Sequence, residues 1–160
     1  MAQAFVGLGS NLGDRTGNLR HAVHALDKTP RCTVQRVSRF LASAPLGDLD
    51  HPWYVNAVAM VATSLAPHAL LSELLAIEQA LGRRRSVRWA PRTLDLDLLL
   101  FDDLVLQSER LTVPHPGMAQ RTFVLQPLME LAPQLTIPGL GPVQRLWQQL
   151  DTPALAHVDC

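Results

Sequence analysis

Residues 93–101 read Thr93-Leu94-Asp95-Leu96-Asp97-Leu98-Leu99-Leu100-Phe101. Strict alternation followed by an unbroken apolar run suits a strand, since a helix would scatter Leu94, Leu96 and Leu98 around its circumference. So apolar an element is expected at the centre of a sheet, where it carries two carboxylates on one face. Unpaired acids are costly in an interior. Neighbouring carboxylates also repel unless a cation stands between them, and their hard oxygens suit Mg²⁺. An isolated D-x-D pair is more often explained by a strand with one face in water. The leucines on the opposite face and the apolar run beyond weaken that explanation here.

The flanking segments supply the rest of a sheet. Residues 3–9 read as a short buried strand running into Gly7-Leu8-Gly9-Ser10-Asn11, and the glycines at 7, 9 and 13 read as turn residues. From Asp14 to Lys28, Leu19, Ala22, Val23 and Leu26 follow helical spacing, and Pro30 closes the segment. Residues 33–43 read as a strand whose alternation slips once, which suggests a bulge. A Pro/Gly/Asp loop follows. Residues 55–63 form a β-branched strand, and Pro67 opens a helix striped by Leu70, Leu71, Leu74, Ile77 and Leu81, with Gly82 at its C′ position.

The resulting order, β-α-β-β-α-β, is the split βαβ of ferredoxin-like folds. The expected class is therefore α+β, an antiparallel sheet with both helices on one face. A C-terminal extension adds a short strand near 104–106 and helices over 119–131 and 142–150. Those helices can cover the other face, giving an α/β/α sandwich in a single domain over residues 1–160.

Fourteen Lys+Arg balance fourteen Asp+Glu among 160 residues. A chain with no basic excess is a poor candidate for generic nucleic-acid or anionic-membrane binding. Cys32 and Cys160 form no C-x-x-C pair or disulfide framework, which suits a reducing compartment. With no signal-like N-terminus and no long apolar run, a cytoplasmic, monomeric protein is expected, with neither nucleic-acid nor membrane partners.

Charge is concentrated locally. Residues 82–92, Gly-Arg-Arg-Arg-Ser-Val-Arg-Trp-Ala-Pro-Arg, hold five arginines and no acid immediately before the aspartates. Such a run is commonly a solvated loop, but guanidinium groups pair bidentately with phosphate oxygens. A cationic loop leading into a carboxylate pair fits a nucleoside triphosphate with Mg²⁺. Arg110, Thr112, His115 and Arg121 form a second polar group, each of them unremarked alone. The single lysine, Lys28, lies outside any P-loop spacing, Gly13 falls one position too late for G-x-G-x-x-G, and no Cys/His zinc spacing occurs.

Four segments together resemble 6-hydroxymethyl-7,8-dihydropterin pyrophosphokinases: Gly9-Ser10-Asn11-Leu12-Gly13, Pro45-Leu46-Gly47 with Tyr54-x-Asn56, Arg88-Trp89-Ala90-Pro91-Arg92-Thr93-Leu94-Asp95-Leu96-Asp97, and Leu111-Thr112-Val113-Pro114-His115-Pro116. The resemblance runs in order from residue 3 to about 135, and its R-W-x-P-R-x-x-D-x-D segment is far more specific than D-x-D alone. It implies transfer of the β,γ-pyrophosphoryl group of ATP to the pterin hydroxymethyl oxygen in folate synthesis, with AMP released.

The same resemblance implies roles for single residues. Asp95 and Asp97 correspond to ligands of two Mg²⁺ ions, and Arg83, Arg85 and Arg92 to arginines that hold the phosphates. Arg110, Thr112, His115 and Arg121 correspond to contacts on the ATP side. Tyr54 and Phe123 match the two faces of a pterin slot, Asn56 the amide that reads its edge, and Ser43, Ala44 and Leu46 its lining. Trp89 corresponds to a residue closing over the site. Ala90 stands where R-W-G-P-R carries glycine.

Two other functions use the same features differently. A ferredoxin-like nucleic-acid module would need stacking aromatics on adjacent strands, yet aromatics make up only 5% of the chain. A small-molecule sensor without turnover would keep the slot but dispense with Asp95 and Asp97.

Overall fold

Two strands form the spine of the molecule because both are rich in β-branched and small residues at alternating positions. β1 (Ala2–Ser10) and β4 (Tyr54–Thr63) run antiparallel along their full length, from Ala2 opposite Thr63 to Ser10 opposite Val55. The computed structural model describes residues 1–44, 53–82 and 94–158. On the other side of β1 lies β5 (Asp95–Phe101), also antiparallel. The far edge of β4 is shared by β2 (Cys32–Val37) and β3 (Phe40–Ser43), and a short strand, His157–Val158, extends the sheet beyond β3.

The crossovers between these strands are α1 (Arg15–Lys28) and α2 (Pro67–Gly82), so the expected βαββαβ core is present. Both helices cover one face, where Val6, Leu8, Leu19, Leu26, Leu70 and Leu74 are buried together. Asp14 caps α1 by accepting the Gly17 backbone N–H at 3.1 Å. The opposite face is covered by α3 (Thr122–Leu131) and α4 (Val143–Gln149), which bury Phe5, Val58, Leu100, Leu125 and Leu128. Complete burial of each large apolar side chain is worth about 1.5–3 kcal/mol. Two such layers make the sheet a shared wall, as the α/β/α expectation required.

Five details differ from the sequence reading. The strand expected over 33–43 is two strands, with a register shift between Val34 and Arg36 and a break at Ser38–Arg39. Ser38 bridges the break, since its Oγ accepts the Val58 N–H at 2.9 Å. α2 runs through Gly82 instead of ending before it, and the strand expected near 104–106 is β6 (Leu106–Gln107), paired with β7 (Thr112–Val113). Gly7 and Gly9 belong to the body of β1, and of the three only Gly13, at φ +66°, is a turn glycine of the left-handed kind.

The fifth difference concerns β5, which lies at the sheet edge and not at its centre among the described residues. Its outer side is covered by other means. The Leu96 N–H donates to Glu78 Oε2 of α2 at 2.7 Å, and the Leu99 carbonyl accepts the His115 N–H at 2.9 Å. An edge sealed in this way has the same apolar signature as a central strand. The unbroken run at its end also has a local cause: Val6 faces Leu98 and Phe5 faces Leu100, which leaves Leu99 as an unpaired bulge residue. Leu96 and Leu98 pack under α1 and α2, and Phe101 returns to that side, whereas Leu99 and Leu100 join the opposite layer.

Candidate functional site

The alternation of β5 before its bulge puts Asp95 and Asp97 on the face opposite α1 and α2. Gly9 lies directly across from Asp95, and Gly7 across from Asp97. With no side chains at 7 and 9, bare backbone lies beside both carboxylates. On the other side of β1, Gly9 faces Asn56 of β4. Asp95, Gly9 and Asn56 thus form one row across three strands.

Asn56 is buried, and its orientation is set by a neighbour: Ser43 Oγ donates to Asn56 Oδ1 at 2.6 Å. The amide oxygen is occupied in this way, and the amide nitrogen lies over Gly9, 2.9 Å from where a Cβ on that residue would stand. Tyr54 faces Ser43 across the strand pair. Burial raises the Tyr54 phenol above the ordinary tyrosine value, and the Asp95 carboxylate raises it further, so the hydroxyl is neutral at physiological pH.

These residues line a cavity of about 340 Å³. Its opposite side comes from the start of α3, where Phe123 faces the sheet and the Arg121 guanidinium carbon lies 5.8 Å from the Phe123 ring centre. Asn11, in the turn after β1, adds a buried Oδ1 with no hydrogen-bond partner. That turn is held from α1, since Asn18 Nδ2 donates to Ser10 Oγ and to the Leu12 carbonyl, each at 3.0 Å. Two aromatic rings, a fixed amide and an open acceptor suit a flat heterocycle with a donor-acceptor edge.

A second cavity of about 290 Å³ opens beyond the edge of β5. Leu71 and Leu75 of α2 supply an apolar wall, while Arg110, Thr112 and His115 bring polar and cationic groups from the 108–116 segment. His115 Nε2 is 4.0 Å from Asp97 Oδ1, and His115 Nδ1 is buried without a partner. Asp97 lines both cavities, and its side chain is half exposed between them.

Ser43, Ala44, Tyr54, Asn56, Asp95, Asp97 and Phe123 therefore meet at the first cavity, and Arg110, Thr112 and His115 at the second. Arg121, grouped by sequence with the second set, lines the first. Leu46, Arg83, Arg85, Trp89 and Arg92 lie outside the described residues. Sequence reasoning missed Asn11, Leu99 and Val124 as lining residues, and Glu78 beneath the second cavity. A buried acid in an otherwise apolar helix stripe was the one available signal for Glu78. Among the described residues no group of three or more His, Cys, Asp or Glu could hold a metal by itself. Two carboxylates on one face beside bare backbone nonetheless offer hard oxygen donors to a cation whose remaining ligands come from phosphate or water.

Comparison with known proteins shows the family and the fold. Residues 5–133 match the family described as 7,8-dihydro-6-hydroxymethylpterin-pyrophosphokinase (HPPK). A 2-amino-4-hydroxy-6-hydroxymethyldihydropteridine pyrophosphokinase of Methylorubrum extorquens is 42% identical over 99% of this chain and 100% of its own length. The Pseudomonas aeruginosa protein of the same name is 47% identical, over 85% of this chain and 84% of its own. A crystal structure of Plasmodium falciparum HPPK-DHPS superposes with TM-score 0.71 at 14% identity, covering 93% of this chain. This chain spans 43% of that longer one, and the likeness concerns the fold.

Proposed function

We infer the work of the site from one premise: the chain belongs to the 7,8-dihydro-6-hydroxymethylpterin-pyrophosphokinase family. It transfers pyrophosphate from ATP to the hydroxymethyl group of 6-hydroxymethyl-7,8-dihydropterin in folate biosynthesis. The oxygen of that group attacks the β-phosphorus, the bond from the β-phosphorus to the α,β-bridging oxygen breaks, and AMP leaves.

The first cavity is the pterin slot in this reading. Tyr54 and Phe123 supply its two faces, and Asn56, held by Ser43, presents its amide nitrogen to acceptors on the heterocycle edge. Ala44 lines the slot, with Leu46 assigned beside it. The second cavity takes ATP, its base against Leu71 and Leu75 and its phosphates toward Arg110, Thr112 and His115. Arg83, Arg85 and Arg92 are assigned to the phosphates and Trp89 to closure over the pterin. Arg121 is assigned to the slot, which its guanidinium supports by lying 5.8 Å from the Phe123 ring centre.

The observation that carries this division is the position of Asp97, which lines both cavities. A hydroxymethyl group in one cavity and a triphosphate in the other would meet beside it. Asp95 and Asp97 are the residues that would hold Mg²⁺, two ions in this reading. When bound, such ions neutralise the triphosphate charge and help to align an in-line displacement.

One chain of a single domain supplies both cavities, which supports a monomeric working unit. No helix among the described residues is long and apolar enough to cross a membrane, and the buried Cys32 is a free thiol. Both features suit the proposed cytoplasmic location. The deciding experiment is incubation with ATP, Mg²⁺ and 6-hydroxymethyl-7,8-dihydropterin. AMP formation is expected, ADP formation would indicate an ordinary kinase, and absence of turnover would favour a binding protein. Omitting Mg²⁺ should abolish turnover.

A further inference from the structure

The helix that carries Phe123 is poorly secured by its own hydrogen bonds. α3 begins at Thr122 with no side-chain cap, since Arg121 at the N-cap position provides none. It also contains Pro127, which has no N–H to return to the Phe123 carbonyl four residues earlier. The first turn of α3 therefore lacks two of the usual restraints at the residue that forms one face of the slot.

The C-terminal segment supplies restraints from outside. Gln126 Nε2 donates to the Leu155 carbonyl at 3.0 Å, and the Leu155 N–H donates to Gln126 Oε1 at 2.7 Å, so a single side chain grips the tail in both directions. Thr122 and Thr152 share a hydroxyl hydrogen bond of 2.8 Å. Immediately afterwards the tail joins the sheet: the Ala42 N–H donates to the Ala156 carbonyl at 3.0 Å, and His157 pairs with Leu41. Leu41 is itself the strand partner of Asn56. The same few residues are thus tied to the helix bearing Phe123 and to the strand bearing Ser43. They lie beyond residue 133, where the family match ends.

We propose that residues 152–158 form a strap that sets the gap between Phe123 and the sheet, with Gln126 as a positioning residue for the pterin although it does not line the cavity. The proposal rests on the assignment of the first cavity to the pterin. Release of the strap lets the first turn of α3 drift, which loosens stacking on one face and leaves the second cavity intact.

The test uses full-length Gln126→Ala, Leu155→Pro and Thr152→Val, with steady-state kinetics and separate calorimetric titrations of ATP and 6-hydroxymethyl-7,8-dihydropterin. Gln126→Ala should raise the pterin KM about tenfold while the ATP KM changes by less than about twofold. Leu155→Pro removes the donor from the other side and should give the same split, and the double variant should be no worse than either single one. Thr152→Val, an exposed and nearly isosteric change that keeps the fold, should give a smaller shift of the same kind. Unchanged pterin affinity in Gln126→Ala and Thr152→Val, or an equal loss for ATP, would overturn the strap. Should Phe123→Ala also leave pterin affinity unchanged, the assignment of the slot itself fails, an outcome distinct from failure of the strap alone.

Discussion

Gly9 and Asn56 are strand partners so close that a Cβ on residue 9 would stand 2.9 Å from Asn56 Nδ2. The side-chain amide occupies the space that glycine leaves, and Ser43 fixes which end of the amide faces the cavity.

Gly9→Ala should therefore displace the amide while keeping the strand, whose conformation alanine readily adopts. Pterin affinity is expected to fall by about 1–3 kcal/mol, as when a buried hydrogen-bond partner is lost. Asn56→Ala should give a similar loss, and Ser43→Ala a smaller one. ATP titrated without pterin should bind all three variants like the wild type; weaker ATP binding in place of weaker pterin binding would contradict the slot.

Asp97→Ala should lower turnover by several orders of magnitude, since a group acting mainly in the transition state shows itself in kcat. The side chain is half exposed, and its loss should leave the urea midpoint nearly unchanged. Near-normal turnover would remove Asp97 from the reaction.

Tyr54 is the only tyrosine in the chain, so tyrosinate absorbance reports it alone. Its titration midpoint should lie above the ordinary value of about 10. Asp95→Asn should lower the midpoint without restoring it fully, because burial is the larger cause and the carboxylate the smaller. The folded state holds this proton more tightly than the unfolded chain. The contribution is thus fully present below the unfolded value and declines as pH rises toward the folded one. An unshifted midpoint in the native protein would contradict the burial of the phenol.

Glu78→Ala should leave the Leu96 N–H without its buried acceptor and cost about 1–3 kcal/mol of stability, read from urea unfolding. Glu78→Gln retains an acceptor oxygen and should cost less. Equal stabilities for both variants would mean that the bond contributes little to sealing the edge.

The order of elements and the carboxylate pair were legible because they depend on local periodicity: Leu94, Leu96 and Leu98 alternate with Asp95 and Asp97, and Asp14 and Pro67 mark helix starts. The edge position of β5 was not legible. Its cover comes from Glu78 in another element and from the 111–117 segment, and burial by a helix leaves the same apolar pattern as burial by a strand. Gly7 and Gly9 were misread as turn residues because a missing side chain looks alike wherever space or freedom is required. Ser43 and Asn56 could be nominated singly by resemblance, but their mutual bond depends on the pairing of β3 with β4. The gap at Ser38–Arg39 was visible only as a slip in alternation.

The extra residue at Leu99 has a consequence for how this strand can change over time. A bulge acts as a phase shifter: the side chains before it keep one inside-outside assignment and those after it take another. The half bearing the carboxylates is thereby uncoupled from the half that fills the core. Substitutions at Leu100 or Phe101 can be accommodated by repacking without turning Asp95 and Asp97 away from the cavity. Inserting one residue between them and the bulge, with the bulge kept, would instead invert the acids into the layer beneath α1 and α2. Selection on chemistry and selection on packing can act on adjacent positions of one strand with little mutual interference, provided that its length stays fixed.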